Sequence, residues 1–115
     1  MNLEARLQEP ITRWNLLDSK FYQAWNAGTL PVEALRTYAA EYGAFITLVP
    51  DGWQRHGDTE TAAVERDHIE MWNDFAGALG TRIGSAQTSA VQDLIETARS
   101  LFAGPVSSLG ALYGF

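Results

Sequence analysis

An all-α helical bundle of about five helices is the fold this sequence predicts, and three observations predict it. Apolar residues recur at spacings of three and four along most of the chain, as in Leu3, Leu7, Ile11 and Trp14, or Tyr38, Tyr42, Phe45 and Val49. Glycine and proline stand where such runs stop, at Gly28, Pro31, Gly80 and Gly104-Pro105. No alternation of apolar and polar residues is long enough for a strand, and there is no internal repeat or low-complexity segment.

The first helix is expected over Asn2 to Trp14, with Asn2 as its cap and a kink or break near Glu9 because Pro10 lies inside it. A second starts at Asp18 or Ser19, carries Phe21, Tyr22 and Trp25, and stops at Gly28. Thr29, Pro31 and Glu33 open a third, whose wide apolar face runs from Leu35 through Tyr38, Tyr42, Phe45 and Ile46 to Val49. Pro50-Asp51-Gly52 reads as a turn, with Trp53 and His56 in the connection after it. Asp58 or Thr59 caps the next helix, which closes at Gly80. A connection rich in Ser, Thr and Gly follows over Thr81 to Ser89. Val91, Leu94, Ile95, Ala98, Leu101 and Phe102 then outline another helix, and Val106 to Phe115 begins a last one without a capping signal.

With 115 residues, 46% of them hydrophobic, the chain reads as a single helical domain over residues 1–115. A net charge of -6 and no run of Lys or Arg argue against nucleic acid and anionic membrane as partners, leaving small molecules or proteins. The absence of cysteine removes disulfides, thiolate ligands and a cysteine nucleophile together. The N-terminus is charged and periodic, unlike a signal peptide, and no segment is apolar enough to span a bilayer, so a cytoplasmic protein is the expectation.

Chemistry concentrates in Glu60 to Trp72, where Glu60, Glu65, Asp67, His68 and Glu70 fall within about three helical turns. At about 100° per residue, Glu65 lies about 60° and Glu60 about 80° from His68 round the axis, so carboxylate and imidazole can face one object. Helical bundles use such a Glu-x-x-His pair, once from each of two helices, to hold two iron or manganese ions. An acidic solvated face with one histidine at its edge fits the same residues. Aromatics at helical spacing are core residues by default. Ser107-Ser108 has no histidine near it in sequence to make a nucleophile and base pair.

The stretches FYQAWNAGTLPVEALRTYAAEYGAF (Phe21 to Phe45) and HIEMWNDFAGALG (His68 to Gly80) resemble the heme-oxygenase-like superfamily. The resemblance is to its TenA-like and CADD-like branch, with the coenzyme PQQ synthesis protein C and the iron-containing redox proteins. It covers the whole chain but matches only the N-terminal half of family members. It implies a non-heme iron ligand at His68. Thr61 stands where the partner glutamate belongs, so Glu60 or Glu65 would serve instead. It further implies a pocket lined by Tyr38, Glu41, Tyr42, Phe45 and Trp72, with Tyr42 in place of the aspartate of TenA-like members. The family's remaining ligands would lie beyond Phe115. A two-iron site needs about six ligands from four helices, and three are the most this chain offers. Heme is not expected, because the first 50 residues hold no histidine.

Three functions are candidates, the first and third implied by that resemblance and the second by the residues alone. The first is a relative of the non-heme iron oxidases and oxygenases whose metal site, Glu60, Glu65 and His68, is incomplete in one chain. The second is a non-catalytic helical module for binding or dimerisation. The third, TenA-like hydrolysis of a thiamin-type pyrimidine, lacks its nucleophilic cysteine. Uncovered apolar faces of a half bundle lead to the expectation of a homodimer, formed by exchange of helices or by packing.

Overall fold

The computed structural model describes residues 2–115, and the chain is all-α, with no strand among the described residues. Seven helices follow in order: α1 Leu3–Arg13, α2 Lys20–Ala27, α3 Val32–Ile46, α4 Val49–Arg55, α5 Thr59–Ala78, α6 Ser89–Ala103 and α7 Ser107–Gly114. A 3-10 turn, Leu16–Asp18, lies between the first two. The helices divide between two compact units, Met1–Pro31 and Val32–Phe115. No helix of the described residues is long and apolar enough to cross a membrane.

In the first unit the Asn2 side chain accepts from the Ala5 N–H at 2.8 Å, and Ser19 Oγ accepts from the Tyr22 N–H at 3.2 Å. Each satisfies one of the donors that a helix start leaves unpaired. The break expected near Glu9 does not occur: α1 runs through Pro10, and the Trp14 N–H still bonds the Pro10 carbonyl at 2.9 Å. The carbonyl that loses its donor belongs to Arg6, an exposed residue where water can replace it. Gly28 ends α2 with φ +69°, and Gly80 stands just beyond α5 with φ +75°, a conformation that L side chains resist. Phe21 packs against Tyr22 and Trp25, but α1 and α2 contain no buried residue.

The second unit holds the core. Phe45, Trp53, Ala62, Ala98, Phe102 and Leu112 come from α3 to α7, and Ile46, Leu48, Val49, Leu94, Ile95 and Ala111 close over them. Ala62 and Ala98 are fully buried and small, which suits the packing of α5 on α3 and α4 and of α6 on α3 and α7, and the large rings fill the rest of the core.

The expected turn at Pro50-Asp51-Gly52 is corrected by the structure: these residues belong to α4, and Trp53, expected in a connection, is a buried helical core residue. Proline is tolerated in a first helical turn, where its missing N–H would have no intrahelical partner. Gly52 fits because a side chain there would come within 2.9 Å of Leu112. Packing of Trp53 thus overrides a local turn signal.

Candidate functional site

The central stretch folds as the long helix α5, opened by Asp58. Asp58 Oδ1 accepts from the Thr61 N–H at 2.9 Å and Oδ2 from the Thr61 hydroxyl at 2.8 Å. Those bonds, the backbone one first, hold the Asp58 carboxyl below the usual carboxylate range. Thr61, which stands where the resemblance expects a glutamate ligand, is therefore part of the helix cap.

About two turns further on, His68 Nδ1 lies 3.0 Å from Glu65 Oε2. A carboxylate only accepts, so Nδ1 carries the hydrogen and Nε2 is the basic ring nitrogen. This is how a carboxylate fixes the tautomer of a metal-binding histidine. The His68 side chain is 50% exposed and that of Glu65 28%. Glu65 also borders a cavity of about 120 Å³ lined by Phe45, Val49, Phe102, Leu112 and Phe115. Glu60 is exposed in the first turn of the helix. Among the described residues, no three His, Asp or Glu side chains gather so as to hold a metal ion. One chain therefore presents a single imidazole donor with its orienting carboxylate, which does not by itself fit iron.

The residues expected to line a pocket are brought together, mostly as packed aromatics. Tyr38 stacks on Tyr42 at 5.5 Å, and Trp72 meets both edge-on at 5.3 and 5.2 Å. Phe45 and Phe75 extend the cluster, and Trp72 Nε1 donates to the Ala39 carbonyl at 2.7 Å. The close approach depends on Gly43, where a methyl group would meet Ile83 Cγ1 at 2.6 Å and the Trp72 ring at 2.9 Å. Glu41 is buried and faces the segment that leads into α6. Its Oε1 accepts the Gln87 and Thr88 N–H groups at 2.8 and 3.1 Å, and its Oε2 the Thr88 hydroxyl at 3.3 Å. Thr88 is the cap of α6, so the Glu41 charge sits at a helix start, where it is electrostatically favoured.

One pairing had no sequence signal. His56, at the end of α4, places Nε2 2.6 Å from the hydroxyl of Ser108, a buried residue of α7. The two stand 52 positions apart, and only recognition of α4 as a helix packed on α7 would have joined them.

The chain matches no family model, no curated protein and no solved structure.

Proposed function

We propose that the chain is a heme-oxygenase-like helical protein related to the non-heme iron oxidoreductases, and that a second copy completes its metal site. The observation that carries this reading is the Glu65–His68 pair, with its hydrogen bond of 3.0 Å and its basic Nε2. Two copies bring two Nε2 donors, each oriented by its own Glu65, to one cation, and water or substrate fills the open positions of an iron site. Val64 and Met71, which are 47% and 60% exposed, flank His68 about one turn away on either side. An antiparallel copy of α5 with its two-fold axis beside His68 therefore sets Val64 towards Met71 of the partner subunit.

Charge makes this association conditional. Helix α5 carries Glu60, Glu65, Asp67, Glu70 and Asp74 against Arg66 alone, so two such helices repel unless a cation lies between them. Metal binding and dimerisation are then linked, each strengthening the other. Anaerobic reconstitution with Fe(II), followed by desalting and metal analysis, tests the reading. The expected result is about one iron per two chains, lost in His68→Ala. Wild-type protein that retains no iron, or His68→Ala protein that retains as much, overturns it.

A second reading, a non-catalytic dimerisation module, draws on α1. Leu3, Leu7, Ile11 and Trp14 form a stripe from 56% to 74% exposed. The unit bearing it has Glu4, Glu9 and Asp18 balanced by Arg6, Arg13 and Lys20, so a second copy is not repelled there. Glu4 and Arg13 at opposite ends pair when two α1 helices run antiparallel. This reading expects a dimer with or without metal.

A further inference from the structure

We infer that His56 and Ser108 form a nucleophile and base pair able to cleave small carboxylic esters. The claim is independent of α5 and of any metal. His56 Nε2 stands 2.6 Å from Ser108 Oγ, within the reach that activation of a serine by imidazole requires. The residue Ser108 is only 3% exposed, and both members border a cavity of about 250 Å³, so the hydroxyl faces a space that a small ligand can enter. Phe102, Ala103 and Pro105 give that cavity an apolar wall, and Arg55 adds a positive charge to its lining. An acyl group of a few carbons suits the wall, and the oxyanion formed during attack gains from the cation.

The serine is held in place by its surroundings. Its backbone N–H bonds the Gly104 carbonyl at 3.0 Å, which fixes the first turn of α7, and His56 is held through its own N–H to the Trp53 carbonyl at 3.1 Å. Trp53 is a core residue, so the backbone at His56 is anchored to the packed interior, and the imidazole of this exposed residue is held by its contact with Ser108. Preorganisation of this kind is what distinguishes a reactive pair from a transient surface contact.

The chemistry closes with water as the co-reactant. Ser108 Oγ adds to the ester carbonyl carbon while its proton passes to His56 Nε2. The adduct collapses, breaking the bond to the alcohol oxygen, and the alcohol leaves with that proton. Water, deprotonated by the same imidazole, then attacks the acyl-serine and releases the acid and the free hydroxyl.

The test is covalent labelling of the full chain with a biotin fluorophosphonate, with the modified residue located by peptide mass spectrometry. Label is expected on Ser108, and His56→Gln is expected to slow it by about 100-fold or more. Glutamine keeps a hydrogen bond to the serine, so a purely structural role of His56 would leave the rate unchanged. Circular dichroism of the variant confirms that the fold is retained, and Ser107→Ala is expected to label as wild type. Absence of label from Ser108, or labelling of folded His56→Gln at the wild-type rate, overturns the inference.

Discussion

Glu41 shows how a residue's role depends on where the chain returns. On sequence it shares a helix face with Tyr38 and Tyr42 and reads as pocket lining, but its partners Gln87 and Thr88 lie 46 and 47 positions away. Its carboxylate holds the start of α6. Glu41→Ala leaves two N–H donors without their partner, a loss of about 1–3 kcal/mol, with faster amide exchange at Gln87 and Thr88 as the site-specific readout. Gly43 acts by absence: any side chain there runs into Ile83 and Trp72. Gly43→Ala is expected to cost about 1–3 kcal/mol and to lower Tm by at least about 4 °C, measurable by thermal melting. An unchanged Tm would mean that the Trp72 ring moves aside at no cost. Neither role was legible locally, since both depend on contacts across helices. The default reading of the aromatics as core holds for Phe45 and Phe102, which are buried, and not for Trp14, Trp25, Tyr42, Tyr113 and Phe115, which are exposed.

Helices were read best where a cap and a period agree. Asn2, Ser19 and Asp58 all cap as their residue types suggest, and Gly28 takes the left-handed conformation expected past a helix end. Readings failed where one residue type was taken as decisive. Pro10 does not break α1, and Pro50 with Gly52 does not prevent α4, because the donor each proline lacks is replaceable in one case and unneeded in the other. The Asp58 cap has a pH signature. Thr61 donors lower its folded-state carboxyl below the unfolded value, so its contribution is present above about pH 4 and is lost as pH falls through the folded-state value. Melts of wild type and Asp58→Asn are expected to differ at neutral pH and converge in acid. A gap that persists unchanged into strong acid would assign the effect to geometry instead of charge.

At the scale of the whole molecule, the acidic balance lies entirely in one unit. Residues 1–31 carry three acids and three bases, so the net charge of -6 belongs to the rest of the chain and is concentrated on α5. The sequence made the all-helical fold and the Glu65–His68 pair visible, since both follow from spacing along one helix. It did not reveal the His56–Ser108 pair, which depends on how α4 and α7 meet. Nor did spacing separate Glu60 from the pair, although its exposed position in the first turn of α5 does so in the structure. The central claim, that a cation joins two copies through α5, is tested most directly by sedimentation equilibrium under anaerobic conditions, with Fe(II) and with chelator, for wild type and His68→Ala. A dimer with Fe(II), a monomer with chelator, and a monomer in both conditions for His68→Ala is the expected result. A wild-type mass that does not respond to iron would contradict the account.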